Sequence, residues 1–191
     1  MPAVPPAAHT WLAGDDATST NMQTLSALLN FLRGGTATGA PTFRAVLSSA
    51  APSASLACAN NAIVTCLPNI VYEDSDSAYN PSTGIYTAKT PGLWLFNGQV
   101  SWASNSTGVR QAYLVASDLA GAGGPIAGIS HELSAALDVN GRCAATLLTR
   151  LAVNDTVRLT CYQSSGISLG YQYPPSATQP GVAMQAVWMS A

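Results

Sequence analysis

The chain has 191 residues, of which 48% are hydrophobic and 8% charged, with a formal net charge of −2. Soluble domains usually carry about a quarter charged residues, and helical bundles need them on their exposed faces, so a bundle is disfavoured. The seven basic residues, Arg33, Arg44, Lys89, Arg110, Arg142, Arg150 and Arg158, are scattered, which argues against the positive stripe of a nucleic-acid binder.

The 16 glycines and 12 prolines suit short strands joined by tight turns. Residues 1 to 10, "MPAVPPAAHT", are Pro/Ala-rich and are expected to be extended. They show no basic stretch followed by an apolar one, so no signal peptide is expected and cytosolic synthesis is the simple reading. No run approaches 18 apolar residues, so no span of a bilayer is expected. Residues 18 to 32, "TSTNMQTLSALLNFL", are predicted as a short helix capped by Thr18 or Ser19. Met22, Leu25, Leu29 and Leu32 form its apolar stripe, and "RGG" ends it. A helix this short is marginal alone, so the stripe needs cover from copies of itself, a foreign surface or its own domain. "GGTATGAP", 34 to 41, reads as a linker. The expected division is an arm, helix and linker over 1–41 and one domain over 42–191.

Beyond the linker the pattern is strands. "TFRAVLSS" (42–49) alternates, and "NAIVTCLPNIVYEDS" (61–75) holds one or two strands split by Pro68. "GIYTA" (84–88) is short. "GLWLFNGQVSW" (92–102) places Trp94, Phe96, Gly98, Val100 and Trp102 on one face, and Leu93, Leu95, Asn97, Gln99 and Ser101 on the other. "VRQAYLVAS" (109–117) precedes a glycine loop at 119–128. "SHELSAAL" and "CAATLLTRLAV" flank Asn140-Gly141, a hairpin signal. "VRLTCYQSS" (157–165) precedes a polar Tyr/Pro loop, and "VAMQAVWMS" closes the chain as a strand expected to be central and paired. Eight to ten such strands, with turns every 8 to 12 residues, predict two antiparallel sheets packed face to face.

Candidate chemistry is sparse. His9 lies in the arm, and His131 beside Glu132 has no second histidine near it in sequence. The strained nucleophile turn "GxSxG" is absent, and "GAGG" (121–124) has no lysine and no helix after it. Glu73, Asp74 and Asp76 have oxygens that could hold a weak surface calcium ion, but without the glycine and twelfth-position Glu of an EF-hand. Cys58, Cys66, Cys143 and Cys161 lack metal-site spacing; Cys58 and Cys66 could pair across a hairpin, or all four could be buried free thiols. No catalytic residue, cofactor or metal ligand is assigned. Tyr171 and Tyr173, in the polar loop, are a candidate ligand contact, since tyrosine is stiff and amphipathic.

The stretch "YNPSTGIYTAKTPGLWLF" resembles the TNF/C1q-like jelly-roll family, in Tyr79, Thr83-Gly84, Tyr86, Thr87, Pro91-Gly92, Trp94 and Phe96. "LAVNDTVRL" is similar to the family's "L-x-x-G-D-x-V-x-L", with Asn154 in place of the glycine. The resemblance implies an all-β, two-sheet antiparallel jelly-roll sandwich, with the short N-terminal helix in front. It also implies a homotrimer, built on the outer surface of the sheet that pairs the first and last strands. Met184, Ala186 and Trp188, or Ala183, Gln185, Val187 and Met189, would then face a partner copy. Both faces of that strand are mainly apolar, and a surplus apolar face must be covered.

"HTWLAGDDATSTNMQTLSALLNFLRGG" resembles the start of tailed-phage minor tail, fibre or head-decoration proteins, in Trp11, Gly14, Asp15, Thr20 and Asn21. This implies a structural virion protein of a tailed bacteriophage: a homotrimeric knob decorating the capsid or forming part of a fibre, assembled in the host cytoplasm. Trp11, Met22, Leu25, Leu29 and Leu32 would anchor it to other virion proteins or join the trimer. The alternative is the receptor- or carbohydrate-binding head of a tail fibre, contacting a host surface glycan or protein. Neither nucleic acid nor membrane is an expected partner, and no enzymatic activity is expected.

Overall fold

The computed structural model describes Gln23 and residues 40–47, 57–117, 125–127, 131–134, 141–171 and 181–190. Most of the predicted helix at 18–32, with Met22, Leu25, Leu29 and Leu32, lies outside the described residues, as do Trp11 and Tyr173.

The described strands are β1 (Thr42–Val46), β2 (Ala57–Cys58), β3 (Ile63–Thr65), β4 (Ile70–Asp74), β5 (Tyr79–Asn80), β6 (Ile85–Thr87) and β7 (Gly92–Ser101). They continue with β8 (Val109–Ser117), β9 (Pro125–Ala127), β10 (His131–Ser134), β11 (Arg142–Leu151), β12 (Thr156–Gln163), β13 (Leu169–Gly170) and β14 (Val182–Ser190). One sheet runs β11-β7-β14-β1-β4 and the other β10-β8-β12-β6-β5, with β3 added on β12 and β9 on β8. A small pair, β13-β2, stands apart. Every pairing is antiparallel. Strand β14 lies between β7 and β1, central and paired as expected.

The alternation in β7 sets the layering. Trp94, Phe96, Val100 and Trp102 are buried and meet Leu114 of β8 and Val157 and Leu159 of β12 in one core. Tyr86 stands edge-on to Trp94 and Phe96, with centroids 5.5 and 5.4 Å away, and Phe43 stacks tilted on Tyr79 at 4.7 Å. Such pairs add to the burial of their own area. Gly98 breaks the row of large side chains for a reason. A Cβ there would sit 2.6 Å from Cδ1 of Leu159, so the missing side chain makes room for the opposite sheet.

One connection differs from the sequence expectation. Asn140 lies outside the described residues, and the described strands on either side of it, β10 and β11, do not pair with each other. Strand β10 pairs with β8 and β11 with β7, so the chain changes sheets between them. The sheet that each strand joins is set by the sandwich topology and not by the local turn preference. Pro68 does split its segment, and the split is also a change of sheet: β3 joins β12 while β4 joins β1.

Candidate subunit-interface face

The outward face of the five-stranded sheet is built by period-2 alternation on strands that already have neighbours. On β14, Val182, Met184, Ala186 and Trp188 are buried, whereas Gln185, Val187 and Met189 are exposed. The structure thus separates the two alternatives: Met184, Ala186 and Trp188 belong to the core, and Ala183, Gln185, Val187 and Met189 face out. Trp188 is held in by its indole N–H, which donates to the Pro91 carbonyl at 3.0 Å.

Register assembles the rest of the face. Leu148 of β11 lies opposite Leu95 of β7, Leu95 opposite Val187, and Val187 opposite Thr42 of β1. Leu148 is 58% exposed, Met189 52% and Val187 39%. One row along, Thr146, Asn97, Gln185, Arg44 and Glu73 follow one another across the sheet. Asn97 Nδ2 donates to Thr146 Oγ1 at 3.1 Å, and the Thr42 hydroxyl donates to the Glu73 carboxylate. The Arg44 guanidinium lies 5.4 Å from the centre of the Tyr72 ring, within cation–π reach. The face is therefore apolar at one end and polar in the middle. A shallow hollow of about 260 Å³ lies between these rows, lined by Arg44, Glu73, Leu95, Asn97, Gln185 and Val187 among others. Sequence reasoning missed Arg44, Tyr72 and Glu73 as part of this face. The alternation of "TFRAV" carries the signal for Arg44, but the β4 neighbours are set by a bulge at Arg44/Ala45 that leaves no such pattern.

Strand β14 is hydrogen-bonded on both sides, and its outward side chains stand perpendicular to the sheet, where only a layer laid over the face covers them.

The other candidates fall elsewhere. Tyr171 turns inward, where its ring packs 5.5 Å from that of Trp102 and its hydroxyl sits 3.2 Å from the Cys161 sulfur. It is buried and so presents no ring to a ligand, because a bridge to Trp102 pulls the start of the loop into the core. Glu73, Asp74 and Asp76 do not converge. Asp74 accepts from the backbone N–H groups of Ala78 and Tyr79, both at 2.9 Å, and Asp76 accepts from the Thr90 hydroxyl at 3.0 Å. Among the described residues no group of three His, Cys, Asp or Glu could hold a metal ion. His131 belongs to β10. The four cysteines are buried free thiols, with no Cys58–Cys66 bond. No helix among the described residues is long and apolar enough to cross a membrane.

No family model matches the chain, and no curated protein matches it. Solved structures do. The globular domain of zebrafish complement 1qA protein matches with a TM-score of 0.52 at 14% identity, over 76% of this chain and 94% of that one. Murine APRIL matches with a TM-score of 0.53 at 12% identity, over 78% and 98%. Eiger TNF from S. frugiperda matches with a TM-score of 0.51 at 13% identity, over 79% and 94%. At such identities the likeness concerns the fold: this is a two-sheet antiparallel jelly roll of the TNF/C1q-like type. Nothing in these matches concerns phage tails or capsids.

Proposed function

We propose that the chain is a non-enzymatic structural knob that self-associates as a homotrimer through the outward face of the five-stranded sheet. The observation that carries this reading is the exposure of Leu148, Val187 and Met189 on one face of a sheet whose central strand has both edges paired. An apolar patch of this kind on a sheet interior calls for cover by protein. Identical copies supply it, because each carries the same patch. The number three rests on the resemblance to the TNF/C1q-like family.

The knob works as a structural virion component of a tailed bacteriophage, decorating the capsid or forming part of a fibre, with residues 1–41 as its attachment. This finer reading is supported by the N-terminal sequence alone, through Trp11, Gly14, Asp15, Thr20 and Asn21. Native mass of the full chain and of residues 42–191 tests the assembly. Three copies in both forms are expected; a monomeric full chain overturns the reading. Antibody labelling of purified particles, imaged by electron microscopy, tests the virion role, and particles without label overturn it.

A further inference from the structure

Among the described residues outside the sheet face, three buried thiols gather near one another, two of them beside one phenol. Cys58 comes from β2, Cys161 from β12, and Cys66 from the segment after β3. All three are almost fully buried. The Tyr171 hydroxyl lies 3.2 Å from the Cys161 sulfur and 4.0 Å from the Cys66 sulfur. The Cys58 sulfur lies 3.9 Å from the Cys161 carbonyl oxygen.

We propose that Cys58 and Cys161 are an oxidisable pair, which closes an intrachain disulfide when the chain folds in the presence of a small-molecule disulfide. Three observations favour Cys58 over the other cysteines as the partner of Cys161. First, β2 is pinned against β12: Gln163 Nε2 donates to the Cys58 carbonyl at 3.0 Å, and Asn61 N donates to the Gln163 carbonyl at 2.8 Å. Second, Cys66 is in the wrong register. Its N–H donates to the Leu159 carbonyl at 2.9 Å, so it faces Leu159 and is only diagonal to Cys161. Diagonal neighbours stand about 7–8 Å apart, beyond the roughly 4.4–6.8 Å that a disulfide spans. Third, Cys143 is elsewhere, with its sulfur on the Arg110 carbonyl at 3.4 Å.

The chemistry balances with oxidised glutathione as the oxidant. One cysteine attacks the glutathione disulfide as its thiolate and releases one reduced glutathione. The second displaces the other glutathione from the mixed disulfide. Two protons leave the cysteines and two reduced glutathiones carry them. Timing follows from burial. The neighbouring Cys161 thiol and desolvation push the Cys58 thiol up, far from its ordinary range. The thiolate is the attacking form, so the exchange belongs to the folding chain, before the core closes.

The test is to refold the full chain from denaturant in an excess of oxidised over reduced glutathione, quench it with iodoacetamide and map the peptides. The expected product has two alkylated cysteines, Cys66 and Cys143, and one peptide linking Cys58 to Cys161. Its Tm should exceed that of chain refolded in reductant, and C143S should give the same link and the same rise. Four alkylated cysteines, a glutathione adduct without an internal link, or a link involving Cys66 each overturn the proposal.

Discussion

Trp188 donates its indole N–H to the carbonyl of Pro91 at 3.0 Å, and the bond exists because the next residue, Gly92, has no side chain. Gly92 has a φ of 140°, and a Cβ there would lie 2.3 Å from the Ser190 carbonyl oxygen and 2.4 Å from Trp188 Nε1. Substituting Gly92→Ala should therefore cost roughly 1–3 kcal/mol, the range for overpacking a tight site. Urea denaturation followed by tryptophan fluorescence measures it. An unchanged midpoint would mean that the β7–β14 end is looser than described.

Val187→Asp and Leu148→Asp each place a charge on the outward face without touching the core. Both should convert the assembly to monomers in analytical ultracentrifugation. The far-ultraviolet spectrum should be retained, and monomer stability should change by only about 0.5 kcal/mol, as for other surface changes. Persistence of the oligomer in both variants would move the contact to another surface.

Asn154 has a φ of 76°, in the left-handed region that costs most L residues about 1–2 kcal/mol. Its N–H donates to the Ala88 carbonyl at 2.8 Å, while Asp155 accepts from the Ala152 N–H at 2.7 Å. The turn is thus built for a glycine-aspartate pair, with asparagine tolerated in the first place. Asn154→Gly should leave stability equal or raise it slightly, and Asn154→Val should lower it by about 1–2 kcal/mol. Thermal melts of the two variants check the sign of each.

Asp76 gives a pH signature. Burial raises its carboxyl above the ordinary range, the Thr90 hydroxyl opposes the rise, and the nearby Asp74 adds to it. A folded value above the unfolded one means that protonation favours the fold. The favourable contribution is complete below the unfolded carboxylate value and is lost as pH rises through the folded one. Asp76→Asn keeps an acceptor for Thr90 without the half-buried charge. Its melting temperature should exceed that of the parent near about pH 7, and the gap should close toward about pH 3. A gap that widens on acidification would reverse the assignment.

Much of the sandwich is legible in the sequence. Strand β8 runs from Val109 to Ser117, and β7 buries Trp94, Phe96 and Val100, with Trp102 buried just past its end, as their alternation requires. Alternation reports which residues share a face, which is why it succeeds there. It cannot say which face is inside when both are apolar, and Met184 against Val187 was decided only by register with β7. Pairing partners are equally silent. The Asn140-Gly141 turn chemistry is local, whereas the sheet to which β10 or β11 belongs depends on residues far away in the chain. Tyr171 shows the same limit: its polar, proline-rich surroundings describe the loop after it, and its own position is set by Trp102 and Cys161.

The central place of β14 has a consequence for how the protein is made. Strands β1 and β7 meet only through residues 182–190. Until residues 182–190 have been made, the borders of β1 and β7 that they occupy in the finished fold have no partner strand. Such borders invite pairing between neighbouring chains, and contacts this distant along the polypeptide form slowly. The quality of the product should therefore depend on translation rate and crowding on a polysome. Slower synthesis at low temperature, with fewer half-finished chains side by side, should raise the soluble yield.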